Sequence, residues 1–160
     1  MRKVDLHIHS YASDGEWSPE DVIRHVDEND IKIFAVCDHD TTGCVPFLDE
    51  LTNNRDDLTF IKGVEVSSTY KGRELHILTY NIDETSTELQ AILKANIDIR
   101  EAYNTEIVAY LSKKHNQISV DDYKGYVYNP YQGGWRTYGY FIDRGLITGL
   151  SDYWFMTKGF

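Results

Sequence analysis

The sequence is poor in cysteine, in long apolar runs and in clusters of basic residues. Its two cysteines, Cys37 and Cys44, are too few for a disulfide framework, so a reducing cytoplasmic location is expected. The apolar runs are only a few residues long, which predicts no membrane span, and the N-terminus shows no signal-peptide segment. These absences favour a cytoplasmic globular protein without a membrane partner.

Negative charge dominates the composition. Acidic residues outnumber basic ones by 26 to 16, a formal net charge of −10, and no Lys/Arg-rich run occurs. This balance argues against nucleic acid or an anionic membrane as the main partner and suits a protein that binds cations. Internal repeats and low-complexity linkers are absent too, and 160 residues suit one ordinary domain with a real core. The tyrosines become frequent only after residue 122.

Strand and helix patterns alternate along the chain, which predicts an α/β fold with a largely parallel sheet. The stretch Ser18-Pro19-Glu20-Asp21 is typical of a helix start, with an N-cap serine, an early proline and acids in the first turn. The predicted strands cover residues 4–8, 31–37, 58–66 (ending at Glu65) and 74–81. The predicted helices cover residues 18–29, 45–52, 86–114, 135–144 and part of 151–160. The apolar stripe predicted on the long helix consists of Leu89, Leu93, Ile97, Ile107 and Leu111.

The first predicted strand carries two histidines separated by one residue. Apolar residues alternate with Asp5, His7 and His9 along residues 4–9, which is the two-residue period of a strand. His7 and His9 are therefore expected on one face, roughly 7 Å apart at the usual rise per residue. Two imidazoles at that distance can bind one cation, such as zinc, manganese or iron. The alternative interpretation is a pair of solvent-exposed histidines on an edge strand.

Further potential ligands occur near the ends of the predicted strands. Asp14 follows the first strand and His39 follows the second, Glu65 ends the third, and His76 lies in the fourth. Functional sites of α/β sheets gather at the carboxyl ends of the strands. Taken singly, His39 could be a capping residue, Glu65 an exposed acid and His76 a core histidine. Together with the two histidines of the first strand, they predict a metal site of four imidazoles and two carboxylates.

Four successive motifs contain these residues. They are Asp5-Leu6-His7-Ile8-His9-Ser10 with Ser13-Asp14-Gly15, then Ile33-Phe34-Ala35-Val36-Cys37-Asp38-His39-Asp40, Gly63-Val64-Glu65-Val66-Ser67, and Leu75-His76-Ile77-Leu78. Their order and spacing resemble those of the PHP domains, a family named for polymerase and histidinol phosphatase. The resemblance covers residues 1–114 and implies the N-terminal portion of a (β/α)7 barrel. Residues 115–160 would then be a small helical insert, with the C-terminal half of the barrel absent.

The resemblance also implies a multinuclear metal site that hydrolyses phosphate esters. The two histidines of the first strand would bind one metal, Glu65 would bridge it to a second bound by His76, and Asp14 and His39 would bind a third. The implied ligand set is His7, His9, Asp14, His39, Glu65 and His76. Two or three divalent ions of manganese, iron or zinc at such spacing can polarise a phosphoryl group and generate a nucleophile near neutral pH.

Catalytic roles follow from the same resemblance. Asp14, Glu65 and Arg100 are the expected catalytic residues, with Arg100 on the long helix near the substrate phosphate. Arg100 and Asn104 match the family pattern there, whereas Tyr103 stands where a second arginine is expected.

The leading functional hypothesis is metal-dependent hydrolysis of a small phosphate ester, such as a nucleotide, a sugar phosphate or an amino-alcohol phosphate. The alternatives are a non-catalytic metal-binding fragment and a subunit that another chain completes. The later family motifs, one resembling Ala-His-Pro and a final Asp-x-His pair, are absent, so phosphoesterase activity is expected to be low or absent in this chain and manganese-stimulated where it occurs. Half of a barrel would expose an apolar sheet face and an open edge, which predicts a homo-oligomer or a strand-exchanged dimer.

Overall fold

The computed structural model describes residues 3–158, which contain one four-stranded sheet and six α-helices. The strands are β1 (Lys3–Ile8), β2 (Ile31–Val36), β3 (Thr59–Tyr70) and β4 (Arg73–Tyr80), and they lie side by side in that order. The first three strands are parallel, and the helices α1 (Pro19–Glu28) and α2 (Val45–Thr52) connect them. Two consecutive β-α-β units therefore form the start of the chain, and the predicted α/β class is confirmed.

Helix α1 begins as its sequence predicts. The Ser18 hydroxyl accepts a hydrogen bond from the Asp21 backbone N–H at 3.1 Å, and the Asp21 carboxylate accepts one from the Ser18 N–H at 3.2 Å. This reciprocal pair satisfies two donors of the first helical turn. One turn apart, Val22 and Val26 are buried against the sheet. The core between the sheet and the first two helices consists of Val22, Val26, Phe34, Val36, Cys44, Leu48 and Leu58.

The third strand is longer than the sequence predicts, and the fourth is antiparallel to it. Strand β3 continues past Glu65 to Tyr70, and Lys71-Gly72 turn the chain directly into β4. Both turn residues have positive φ angles, 51° and 74°, as two-residue hairpin turns require. The hairpin was not predicted because Lys-Gly is a weaker turn signal than Asn-Gly or Asp-Gly. Glu65 therefore lies within its strand rather than at the strand end, whereas His76 lies within β4 as predicted.

The long helix, α3 (Thr87–Leu111), is confirmed within a few residues of its predicted ends. Its N-cap is Ser86, whose hydroxyl accepts the Leu89 N–H at 3.2 Å. The predicted apolar stripe is wrong at Ile97, which is 44% exposed. In the middle of the helix the polar side chains of Asn96 and Arg100 face the sheet, where they contact Ser67 of β3. The neighbouring side chain of Ile97 therefore faces solvent.

A second hydrophobic core joins the end of α3 to three short helices, α4 (Val120–Gly125), α5 (Arg136–Asp143) and α6 (Leu150–Thr157). Its buried members are Ile107, Val108, Leu111, Ile118, Tyr123, Tyr140, Phe141, Ile147 and Tyr153. Gly145 follows α5 with a φ of 64°, as the predicted helix end requires. Helix α6 agrees with the last predicted helix, of which residues 159 and 160 lie outside the described range. The division of the chain at residue 114 stays a prediction.

Within residues 3–158, none of the helices has the length and apolar character needed to cross a membrane. The two cysteines are both buried and free. Burial raises the pKa of Cys37 to about 12 and that of Cys44 to about 11, so both remain neutral thiols near pH 7.

Candidate metal centre

His7, in β1, and His9, directly after the end of β1, converge on one point of the sheet. Between Asp5 and Ile8 the pairing of β1 with β2 shifts by one residue, which is a bulge in β1 next to His7. The Nε2 atoms of His7 and His9 lie 2.9 Å apart. They lie 2.8 and 3.1 Å from one oxygen, Oε2 of Glu65 on β3. The structure thus places both imidazoles on one face, as the two-residue spacing predicts.

Glu65 is the centre of the cluster. Its side chain is 6% exposed, and four histidines each place a ring nitrogen within 3.8 Å of its carboxylate oxygens. His7 and His9 approach Oε2 as described, His39 Nδ1 lies 3.8 Å from Oε2, and His76 Nδ1 lies 3.1 Å from Oε1. His76 reaches this point because β4 folds back along β3 and places it two residues from the position opposite Glu65. The hairpin therefore delivers one of the six candidate ligands.

Asp14 contacts the other ring nitrogen of His9. Its Oδ1 lies 3.0 Å from His9 Nδ1, and its Oδ2 lies 3.6 Å from His39 Nε2. The loop that carries Asp14 turns tightly, since a Cβ atom at Gly15 would lie only 2.4 Å from the His9 carbonyl oxygen. Glycine is therefore required next to Asp14. From the helical part of the chain, the Gly134 N–H donates a hydrogen bond of 2.8 Å to the Asp14 carbonyl oxygen.

The six predicted ligands form three overlapping groups of three residues. Within each group, the three ligand atoms lie within 4.8 Å of one another. They are the His7 group (His7, His9 and Glu65), the His76 group (His39, Glu65 and His76) and the Asp14 group (His9, Asp14 and His39). A carboxylate can bridge two ions, but a neutral imidazole has a single lone-pair nitrogen. His9 and His39 can therefore each complete one group at a time. The set supports either the His7 and His76 groups together, joined through Glu65, or the Asp14 group.

The charges within the cluster shift its pKa values. Burial would raise the pKa of Glu65, but the hydrogen bond to His7 and the nearby positive charge of His39 hold it below its usual range. Burial likewise acts against the ionised form of Asp14, and the hydrogen bond and charge of His9 outweigh it and lower the pKa. Burial would lower the pKa of His9, but the hydrogen bond and charge of Asp14 and the charge of Glu65 outweigh burial, so the pKa of His9 is raised. For His39 burial has the larger effect, and its pKa is lowered. Both carboxylates are thus ionised and able to bind cations at neutral pH.

Arg100 reaches the neighbourhood of the cluster from α3 and binds Asp40. Its Nη2 donates hydrogen bonds to Asp40 Oδ2 and, at 3.3 Å, to the Ser67 hydroxyl. Because both contacts use Nη2 and the Arg100 side chain is 37% exposed, an edge of the guanidinium remains accessible to an anion. Asn104, which the family pattern also singles out, is buried in α3.

Two residues around the cluster were not predicted to have a role, Asp38 and Asp40. They flank His39 just after β2 and are 2% and 0% exposed. The available signal was that a buried strand ends in two acids, which need hydrogen-bond donors if the strand end is buried as well. Every buried side-chain nitrogen and oxygen in the described part of the chain has a hydrogen-bond partner, so the surroundings of the cluster are fully paired.

The sequence profile of the PHP domain matches residues 5–130. The chain belongs to the PHP domain family. A 5'-3' exoribonuclease of Haemophilus influenzae is 35% identical over 112 residues, which are 70% of this chain and 40% of the relative. A 3',5'-nucleoside bisphosphate phosphatase of Chromobacterium violaceum is 35% identical over 95 residues, which are 59% of this chain and 33% of the relative.

A solved structure supports the fold of this PHP domain. It is described as an amidohydrolase from Chromobacterium violaceum with bound sulfate and no metal. It superposes with a TM-score of 0.76 at 28% identity and covers 98% of this chain and 56% of that chain. The chain thus spans between a third and three fifths of the length of the proteins it matches here. The predicted resemblance to PHP domains is confirmed.

Proposed function

We propose that this PHP domain binds divalent metal ions around Glu65 and hydrolyses a phosphate ester of a small molecule. The observation that carries the proposal is the convergence of four imidazoles on one buried carboxylate, with a second carboxylate in contact with two of these imidazoles. The six side chains come from three strands and two loops. The names of the two relatives, an exoribonuclease and a nucleoside bisphosphate phosphatase, support phosphoester hydrolysis.

The residues present fit divalent ions of manganese, iron or zinc, because imidazole and carboxylate together suit these metals. Of the two to three ions that the family resemblance implies, we expect two to be bound by these residues, one in the His7 group and one in the His76 group. When bound, closely spaced divalent ions polarise a phosphoryl group and provide a nucleophile near neutral pH.

Asp14 orients His9 in this proposal. An ionised Asp14 accepts a hydrogen bond from His9 Nδ1, which fixes the imidazole tautomer and leaves the lone pair on Nε2. That nitrogen is the one that lies 3.1 Å from Glu65, so Asp14 prepares the His7 group although it is not a member of it. The lowered pKa of Asp14 keeps this arrangement at neutral pH.

Arg100 binds the substrate phosphate in this proposal. One nitrogen of its guanidinium is held by Asp40, which fixes the direction of the side chain, and the accessible edge can pair with phosphate oxygens. Tyr103 follows three residues later where a second arginine is expected, so Arg100 is the cation of α3 that we assign to the phosphate.

A nucleotide is the favoured small substrate, and sugar or amino-alcohol phosphates are the alternatives. The exoribonuclease relative favours a second candidate substrate, an RNA with its 5' end at the site. The formal charge of −10 acts against that candidate, since an acidic surface repels a polyanion. Two further alternatives are a metal-binding fragment without turnover and a subunit completed by another chain.

A direct test separates these candidates. The purified chain is loaded with Mn²⁺, and its metal content and its phosphate release from a nucleoside 3',5'-bisphosphate, a sugar phosphate and a 5'-phosphorylated oligoribonucleotide are measured. We expect bound metal and slow, manganese-stimulated release from the bisphosphate. Shortening of the oligoribonucleotide would favour the RNA candidate. Metal binding without turnover of any substrate would favour the non-catalytic alternatives, and absence of metal after loading would contradict the proposed site.

A further inference from the structure

Two buried carboxylates lie on either side of His39 and belong to none of the three ligand groups. Asp38 and Asp40 are 2% and 0% exposed, so each must be stabilised by hydrogen bonds rather than by water. The two side chains accept hydrogen bonds from different parts of the chain. Their partners therefore indicate which part each one holds in place.

Asp38 holds the loop between β1 and α1. Its Oδ1 accepts hydrogen bonds from the Ser10 backbone N–H at 2.7 Å and from the Ser13 hydroxyl at 2.6 Å, and its Oδ2 accepts the Ser10 hydroxyl at 2.6 Å. Ser10 directly follows His9, and Ser13 directly precedes Asp14. The loop closes on itself as well, because the Ser10 carbonyl oxygen accepts the Gly15 N–H at 3.0 Å. Asp38 thus fixes the backbone on both sides of the contact between His9 and Asp14.

Asp40 holds β3 and α3 instead. Its Oδ1 accepts the Ser67 N–H at 2.9 Å and Asn96 Nδ2 at 2.7 Å, and its Oδ2 accepts the Ser67 hydroxyl at 2.6 Å and the Arg100 guanidinium. Its backbone has a positive φ of 52°, a conformation that Asp and Asn tolerate better than most residues. Glu65, two residues before Ser67, is held separately by backbone hydrogen bonds to the Asp38 carbonyl oxygen and from the Asp40 N–H.

We propose that Asp38 and Asp40 are positioning residues with separate tasks: Asp38 sets metal affinity through the loop of His9 and Asp14, and Asp40 sets phosphate affinity by holding Arg100. The inference rests on the metal site and phosphate contact proposed above. It goes beyond them because it assigns two buried acids to different steps, metal binding and phosphate binding. The two tasks can therefore be separated by measurements that do not depend on turnover.

The first measurement is the affinity of the chain for Mn²⁺ alone, by calorimetry. Asp38→Asn keeps the size of the side chain but removes its charge, and we expect about tenfold weaker Mn²⁺ binding, the effect of losing a partner that orients a ligand. Ser13→Ala should weaken Mn²⁺ binding by a few-fold, and Ser13→Thr, which keeps the hydroxyl, should restore it. Asp122→Asn, the same change at an exposed ion pair with Arg144, is the matched control and should have no effect.

The second measurement is the affinity of the manganese-loaded chain for inorganic phosphate. Asp40→Asn should bind phosphate about tenfold more weakly, because the new amide N–H faces the Arg100 guanidinium and no longer attracts it. Its Mn²⁺ affinity should stay within about twofold of the unaltered chain, and in turnover KM should rise more than kcat falls. In an Arg100→Ala background the Asp40→Asn change should have no further effect on phosphate binding.

The outcomes are distinguishable. If the unaltered chain binds neither Mn²⁺ nor phosphate, the proposed function fails and this inference fails with it. If the unaltered chain binds both and folded Asp38→Asn and Asp40→Asn bind them equally well, only this inference is overturned. An Asp40→Asn variant that loses Mn²⁺ rather than phosphate would also overturn it. If circular dichroism shows that Asp38→Asn is unfolded, the Mn²⁺ affinity of Ser13→Ala replaces it as the test, and if Asp40→Asn is unfolded, the phosphate affinity of Asn96→Ala does. Unchanged affinities in these two variants would overturn the inference.

Discussion

Replacing Glu65 with glutamine tests the ligand groups most directly, because it keeps the shape of the side chain and removes the charge that four imidazoles approach. Glu65 belongs to the His7 group and to the His76 group but not to the Asp14 group. The change therefore removes the shared ligand of two groups at once and leaves the third with all its members. We expect the number of bound Mn²⁺ ions to fall from two to one.

The magnitude follows from burial. The Glu65 side chain is 6% exposed, and removing one partner of a buried charge pair costs about 3–5 kcal/mol. Since 1.4 kcal/mol corresponds to about a tenfold change in affinity, both Glu65-dependent groups should bind Mn²⁺ at least about a hundredfold more weakly. The Asp14 group can then bind an ion, because His9 and His39 no longer act as ligands in the His7 and His76 groups. Each of the two imidazoles can donate its single lone pair to the metal ion that Asp14 binds.

The assay is equilibrium dialysis against Mn²⁺ followed by elemental analysis, with circular dichroism to confirm that the variant is folded. Glu88→Gln is the matched control, since Glu88 is an exposed acid in the first turn of α3 and should leave the metal content unchanged. A folded Glu65→Gln chain that retains two ions at the original affinity would refute the assignment of Glu65 as the shared ligand. A chain with no bound ion would refute the independence of the Asp14 group.

Four further predictions concern metal content, pH, stability and association. Asp14→Asn should leave two ions bound, by elemental analysis, because the two groups joined through Glu65 do not include Asp14. Lowering the pH from about 7.5 to about 5.5 should weaken Mn²⁺ binding by about tenfold per pH unit for each proton that the metal must displace. Because the pKa of His9 is raised, protons should begin to compete with Mn²⁺ for this imidazole at a higher pH than for an ordinary histidine; calorimetry at several pH values measures this. Leu48→Ala should lower the free energy of unfolding by about 2–5 kcal/mol in urea denaturation, because Leu48 is fully buried between α2 and the sheet. Edge strand β1 exposes Val4 and Leu6, 52% and 37% accessible, so sedimentation should show a dimer, and a stable monomer would contradict the predicted self-association.

Local sequence patterns were sufficient for most helices and for the first two strands. Helix α1 has its capping box at Ser18 and Asp21, and α2 spans the predicted residues 45–52. These elements follow from interactions between residues only a few positions apart, which the sequence shows directly. The hairpin of β3 and β4 is also local, but its Lys-Gly turn is a weak sequence signal. The exposure of Ile97 depends on contacts of α3 with distant residues, so the pattern within the helix did not reveal it.

The sequence by itself determined which side chains could bind metal, because imidazoles and carboxylates recur in motifs at successive strands. Only the tertiary structure decided how they combine. The hairpin that returns His76 to Glu65 and the contacts of Asp14 with His9 and His39 define two of the three overlapping groups. The roles of Asp38 and Asp40 also became apparent only in the fold, because a carboxylate acquires such a role from the donors around it. Those donors come from a loop, a strand and a helix up to 60 residues away in the chain.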